Sequence, residues 1–280
     1  MAQKDFTLKI PDENRHIRLR FNPAKNSEHQ LQQLIIIATG LYSHMDKKSQ
    51  SRLAKSYQQA GFSTLQFNFM GHGEGENKSD GKIENITLSS SIKDIKTVWD
   101  YSKGLPNIDT EHSVISANSY GGLISLLALE KNLISPESMV LVAPFSLDKF
   151  KPWVLPLRLI SKLMPDKVSQ ILKLPVPNNL LSDFLKHHTN GMTKKDMLGS
   201  TAVHFFIGSR DNVSSPKDIK KWCRIFNSQT PSRTPFVDNT QAHCTVYKDV
   251  PHFKIPESVQ KDITDRSIDF IKKTREIRSI

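Results

Sequence analysis

The sequence predicts an α/β fold with a mostly parallel central sheet, an antiparallel N-terminal hairpin, helices on both faces and a helical insertion. Three observations carry this expectation. Short apolar runs alternate with amphipathic stretches of helical period along most of the 280 residues. The two opening segments instead alternate apolar and polar residues, as strands with one face on a core do. Residues 145–200 break the rhythm and are too long for an ordinary loop in a compact domain.

Phe6, Leu8 and Ile10 alternate, and Ile17, Leu19 and Phe21 do so again after the turn around Pro11, which makes the hairpin. Residues 34–38 are continuously apolar, as expected of a strand covered on both faces. A helix over about 47–60 ends at Gly61, residues 62–69 form the next strand, and Gly71-His72-Gly73-Glu74-Gly75 is the loop after it. Leu88, Ile92, Ile95 and Trp99 lie on one helical stripe, with Thr87 placed to cap it. A strand at 113–116 leads through Ala117-Asn118-Ser119-Tyr120-Gly121 into a helix beginning near Gly122. Strands follow at 138–143, 202–207 and 245–250, and a last helix from Glu257 carries Val259, Ile263, Ile268 and Ile271. No internal repeat is present.

The chain thus divides into 1–144 and 201–280, two parts of one sheet core, and the insertion 145–200. The insertion holds Trp153, Leu155, Leu159, Leu163, Leu180 and Phe184, and prolines 165, 175 and 177 cut it into short helices. Ligands of open α/β sheets bind at the carboxyl ends of the strands, so this position suits a cap over a site. Extra core packing or a dimer surface is the alternative.

Composition narrows the function classes. No apolar run approaches bilayer-spanning length, and the first residues lack a charged n-region followed by an apolar core, so a cytoplasmic protein is expected. Cys223 and Cys244 allow at most one bridge and have no metal-ligand spacing; neither metal nor cofactor is expected. The net charge of +11 would steer anionic substrates or an acidic carrier protein. Lysine and arginine are scattered, without an aromatic-interleaved basic strand, so no nucleic-acid partner is expected. Composition leaves monomer and homodimer both open.

Ser119 lies at a strand-to-helix turn between small residues, Ala117 two before and Gly121 two after. Such a turn lifts the serine Oγ out of the fold and aims neighbouring backbone N–H groups at the same point. A serine hydroxyl needs an imidazole to accept its proton and a carboxylate to hold that imidazole. Asp211 stands just past an apolar strand and Gly208, and Pro216 makes Ser214 or Ser215 the better cap for the following helix. His252 follows the last strand, whereas its rival His243 precedes it. The order Ser119, Asp211, His252 is that of the nucleophile-elbow hydrolases. The oxyanion donors expected are Tyr120 N–H and Leu41 N–H, with Tyr42 N–H the alternative. Tyr42, His44, Phe145 and Trp153 are candidate substrate contacts. His72, between two glycines, suits backbone hydrogen bonding better than metal ligation.

Together the elbow, the Gly71-His72-Gly73 loop, the Gly208-Ser209-Arg210-Asp211 segment and His252 resemble the α/β-hydrolase superfamily over almost the whole chain. Phe67-Asn68-Phe69-Met70-Gly71-His72-Gly73-Glu74-Gly75, followed by Asn85-Ile86-Thr87, resembles the bacterial feruloyl/cinnamoyl esterases, which carry a cap in the same place. That group usually has His-Gly where Thr39-Gly40 stands, and glycine where Ala117 stands. Ile35-Ile36-Ile37-Ala38-Thr39-Gly40-Leu41, with Met45-Asp46 beyond, is similar to the acyl-carrier-protein thioesterases of bioluminescence operons, which tolerate such a residue before the nucleophile. The resemblance implies a serine hydrolase acting on a carboxylic ester with a hydrophobic acyl or aryl part. The alternative is an acyl thioester on an acyl-carrier protein or CoA. A serine peptidase lacks an acidic pair to grip a free amino terminus, and the intact triad argues against a non-catalytic binding protein.

Overall fold

The computed structural model describes residues 3–25, 31–146, 199–228 and 240–278, together with 156, 159, 177, 179, 180, 183 and 237. Strands β1 (Lys4–Lys9) and β2 (His16–Asn22) form the expected hairpin, paired from Lys4 with Phe21 to Lys9 with His16. They precede β3 (Gln32–Ala38), α1 (Lys48–Gln59), β4 (Ser63–Phe67) and α2 (Leu88–Ser102). Next come β5 (Ile108–Asn118), α3 (Ser119–Glu130), β6 (Ser138–Val142) and β7 (Ala202–Gly208). The helix α4 (Pro216–Ser228), β8 (Ala242–Tyr247) and α5 (Glu257–Arg278) complete the order.

The eight strands make one sheet in the order β1-β2-β4-β3-β5-β6-β7-β8. The pairs β1–β2 and β2–β4 are antiparallel, and every pair from β4 to β8 is parallel. Alternation along β3 shows how the layers are filled. Leu34, Ile36 and Ala38 join the core shared with α2, α3 and α4, while Ile35 and Ile37 face the core shared with α1 and α5. Both faces are therefore covered, which is why β3 reads as one unbroken apolar run.

Three elements differ most from expectation. β5 starts at Ile108 because Gln32 and Gln33 of β3 pair with Ile108 and Asp109 before the register shifts. The helix α3 starts at Ser119 because that residue itself makes the turn. β8 is displaced toward the N-terminus and ends at Tyr247, since Asp249 takes φ +60° and turns the chain back over β7. Most of the insertion 145–200, including Trp153, lies outside the described residues.

Candidate active site

Register brings the strand ends together. Ala38 pairs with Ala117, Asn118 with Val142, Val142 with Phe206 and Gly208 with Tyr247, so the loops that follow β3, β5, β6, β7 and β8 open on one edge. Ser119 sits there with φ +47°, a left-handed conformation that costs a non-glycine residue of order 1–2 kcal/mol. Packing on both sides holds it. A Cβ on Gly121 would lie 2.4 Å from the Ala38 carbonyl oxygen and 2.6 Å from that of Thr39. Ala117, 4% exposed, pairs with β3 and β6 through its backbone while its methyl group joins the core on one face of the sheet, so the elbow closes without glycine at this position.

Ser119 Oγ lies 3.0 Å from His252 Nε2, and His252 Nδ1 lies 2.7 Å from Asp211 Oδ2. The imidazole and carboxylate side chains are 4% and 0% exposed. An ionised carboxylate has no proton to give, so Nδ1 carries the hydrogen and Nε2 is left to accept the Ser119 proton. Asp211 Oδ1 accepts the N–H groups of Val213 at 2.9 Å and Ser214 at 2.6 Å, which fixes the carboxylate from its other side. Ser215, not Asp211, caps α4 by accepting Asp218 N–H at 3.3 Å. His243 lies within β8, bonded to Thr240 Oγ1 at 2.9 Å and edge-on to Phe270, away from this constellation.

The loops bearing acid and base are stitched to each other. Ser209 N–H donates to the Tyr247 carbonyl at 2.8 Å, Arg210 N–H to that of Val250 at 3.1 Å, and Asp249 N–H to Ser209 Oγ at 2.8 Å.

Opposite the serine is the turn after β3. Ser43 N–H donates to the Gly40 carbonyl at 3.0 Å, and Tyr42 takes φ +60°. A Cβ on Gly40 would sit 3.0 Å from Asn118 Nδ2 and 3.4 Å from Ser119 Cβ, so this turn abuts the elbow directly. Tyr42 N–H is taken up by His72 Nε2 at 3.2 Å. Leu41 N–H has no acceptor among the described residues. Tyr120 N–H belongs to the first turn of α3, where helix N–H groups lack intrahelical acceptors. The Tyr120 phenol is buried, donates to Ser91 Oγ at 2.9 Å, and is pushed well above its ordinary range by that burial.

Of the candidate contacts, Phe145 is half-buried and its N–H donates to the Ser119 carbonyl at 3.0 Å. Tyr42 is half-buried, and His44 stands between Asp46, 3.8 Å away, and Glu74, 3.4 Å away. The segment 145–200 also sends Leu180 into the core and Asp183 to the start of α2, where Asp183 Oδ2 accepts Ser89 N–H at 2.8 Å.

The structure adds a buried polar support that the sequence reading missed. Asp94 of α2 is fully buried, accepts Met70 N–H at 3.0 Å and pairs with Arg15 at 2.6 Å. Burial raises its carboxyl to about 6 despite the guanidinium. Arg15 also contacts Glu13, which pairs with Lys93 at 3.0 Å. The available signal was an aspartate interrupting the stripe between Ile92 and Ile95. Among the described residues no group of histidine, cysteine, aspartate and glutamate is arranged to hold a metal ion, and no helix is long and apolar enough to cross a membrane.

Residues 29–198, more than half of the chain, match the family described as serine aminopeptidase, S33. The chain belongs to this family. With Ser119, His252 and Asp211 in hydrogen-bonded series, this S33 family member is a serine hydrolase. No curated protein matches it in sequence. Solved structures with the same fold include Est1E from Butyrivibrio proteoclasticus with ferulic acid bound, 16% identical with a TM-score of 0.69 over 95% of this chain and 99% of that one. The esterase Pf2001 of Pyrococcus furiosus is 17% identical with a TM-score of 0.68 over 97% and 92%. Alpha/beta hydrolase domain-containing protein 10 from mouse is 13% identical with a TM-score of 0.70 over 96% and 99%. At these identities the likeness concerns the α/β-hydrolase fold.

Proposed function

We propose that this S33 family member hydrolyses a carboxylic ester with a hydrophobic acyl or aryl part through an acyl-enzyme on Ser119. The observation that carries the reading is the Ser119–His252–Asp211 series beside a turn whose Leu41 N–H has no acceptor among the described residues. His252 takes the Ser119 proton as Oγ attacks the carbonyl carbon. The oxyanion rests on Leu41 and Tyr120 N–H, and His252 returns the proton to the leaving alcohol. Water, deprotonated by the same imidazole, then releases the acid and restores Ser119. Each oxyanion donor is worth roughly 10²–10³ in kcat.

Residues 145–200 serve as the cap over this site, a reading supported by Leu180 entering the core and by Asp183 docking at the start of α2, which Tyr120 also contacts. Tyr42, His44, Phe145 and Trp153 contact the substrate. The likeness to the ferulic-acid-bound Est1E structure supports an aryl or acyl ester. The second reading is an acyl thioester on an acidic carrier. It is favoured by the exposed Lys217, Lys220, Lys221 and Arg224 on α4, the helix that follows Asp211. Cys223 and Cys244, unbridged here, support a cytoplasmic setting.

The test sets p-nitrophenyl esters, feruloyl esters and acyl-CoAs of graded length side by side. Turnover of at least one class is expected, and Ser119→Ala should abolish it with an unchanged circular-dichroism spectrum. Undiminished turnover by Ser119→Ala would overturn the mechanism. A wild type inert toward all three classes would overturn the substrate class.

A further inference from the structure

We propose that His72 is a positioning residue of the oxyanion turn, holding the Leu41–Tyr42 peptide in place through a neutral imidazole whose Nε2 accepts Tyr42 N–H. This deepens the ester-hydrolase reading and rests on it. The His72 ring is 2% exposed and has two backbone partners, Tyr42 N–H on Nε2 at 3.2 Å and the Met70 carbonyl on Nδ1 at 3.0 Å. A carbonyl only accepts and an amide only donates. The ring is thereby confined to one tautomer, with the hydrogen on Nδ1 and a lone pair on Nε2.

The turn needs such a tie. Tyr42 takes φ +60° at the third position of the Gly40–Ser43 turn, where a type II turn calls for glycine. A side chain there is strained by about 1–2 kcal/mol, and that strain favours rotation of the 41–42 peptide plane. Rotation would reverse the Leu41 carbonyl and the Tyr42 N–H and so loosen the Gly40–Ser43 turn that abuts Ser119 and carries Leu41 N–H. The His72 bond opposes it, and it also occupies Tyr42 N–H, which leaves Leu41 N–H to face the developing oxyanion. A second tie, Met45 N–H to Asn68 Oδ1 at 2.8 Å, fixes only the far end of the same loop.

His72 is itself held rigidly. Its N–H donates to the Phe69 carbonyl at 2.9 Å, its carbonyl accepts Ser79 N–H at 2.9 Å, and its ring lies edge-on to Phe69. Protonation would place a second N–H against Tyr42 N–H and break the tie. Burial keeps the ring neutral, and the nearby His44 and Lys47 disfavour a further positive charge. Glu74, which stands 3.4 Å from His44 Nε2, is exposed.

The experiment compares two amide replacements. His72→Gln places an acceptor near the Nε2 position, whereas His72→Asn supplies a donor near the Nδ1 position and nothing toward Tyr42. On whichever p-nitrophenyl ester the wild type turns over, His72→Asn should lose about a hundredfold in kcat, with KM changed by less than about threefold. His72→Gln should recover at least tenfold of that loss. A role confined to holding Met70 would give the opposite ranking, and that ranking would overturn the proposal, as would kcat values for both variants within twofold of wild type. Long-range ¹H–¹⁵N correlation on the wild type reads the tautomer without any substrate. A proton on Nε2 at neutral pH would equally overturn it. A wild type with the expected tautomer but inert toward every ester and thioester would instead overturn the hydrolase reading and, with it, the catalytic purpose assigned to His72.

Discussion

Part of the backbone strain in this molecule lies where the chemistry is. Among the described residues eight non-glycine residues take positive φ. Asp12, Asn107 and Asn132 do so in turns elsewhere, whereas Tyr42, Ser119, Ala143, Asp249 and Lys254 occupy loops at the carboxyl ends of the parallel strands. Each costs of order 1–3 kcal/mol and persists only because its neighbours leave no relaxed alternative. The two small residues flanking Ser119 are not equivalent in that support. Ala117→Gly removes a methyl group that already fits, so it should lower stability by about 1 kcal/mol and leave kcat within a few-fold. Gly121→Ala would force a Cβ to within 2.4 Å of the Ala38 carbonyl oxygen, against the strand that leads to the oxyanion turn. A loss of roughly 1–3 kcal/mol and a fall of at least tenfold in kcat are expected. Urea titration and ester kinetics on both variants check the contrast; equal effects would sink it. The triad was legible in sequence because residue type, strand-end position and order converge on Ser119, Asp211 and His252. The tie from His72 to Tyr42 was not. Nothing in a glycine-flanked histidine says which of two backbone groups its second nitrogen will meet.

At the scale of the element, α2 illustrates how a helix serves a site it does not line. Thr87 and Ser90 form a reciprocal capping box at its start, with Ser90 N–H on Thr87 Oγ1 at 2.9 Å and Thr87 N–H on Ser90 Oγ at 3.0 Å. Thr87→Ala should cost about 1 kcal/mol, read as a shift in urea midpoint, and no change in midpoint would deny the cap its role. About two turns after Thr87, Asp94 reaches back to Met70 N–H and so anchors the strand end that leads to His72. Its folded carboxyl is raised from the ordinary 3.8 to about 6, with burial the largest cause. For an acid with a raised folded value, the contribution to stability is fully present below pH 3.8 and is lost as pH rises through 6. The group should therefore subtract about 2 kcal/mol between pH 4 and 7. Asp94→Asn cannot titrate. The difference in unfolding free energy, wild type minus variant, should fall by that amount over the interval, and a flat difference would contradict it. The cap was readable from Thr87 because capping depends on local spacing. The Asp94–Arg15 pair was not, because its partners lie far apart in sequence and meet only when the hairpin packs on α2.

Across the whole molecule, the serine, acid and base come from the ends of three strands, and the sheet sets their separation. Its parallel core and antiparallel front edge were legible from apolar runs and alternation. The end of β8 was not, because Thr245–Val250 looks uniformly extended and only contact with β7 shows where the chain must turn. That contact is concentrated at Gly208. A Cβ there would lie 2.0 Å from the Val250 carbonyl oxygen, 2.7 Å from its carbonyl carbon and 3.0 Å from its Cβ. Gly208 lacks a positive φ, so its requirement is for space alone. Gly208→Ala must push the 247–252 segment away from β7, weakening the Arg210–Val250 and Ser209–Tyr247 backbone bonds and carrying His252 with it. Asp211 follows Gly208 by three residues and keeps its own anchor on Val213 and Ser214, so acid and base should separate rather than shift together. A displacement of about 1 Å in a catalytic group costs on the order of 10² in rate. The expected result is thus a hundredfold lower kcat with KM little changed, in a protein still folded by circular dichroism. Gly104→Ala is the control, since its Cβ would meet nothing closer than the Tyr101 carbonyl at 3.6 Å, at a turn that follows α2. A kcat for Gly208→Ala equal to that of the control would show that the β7–β8 contact does not set the position of the base.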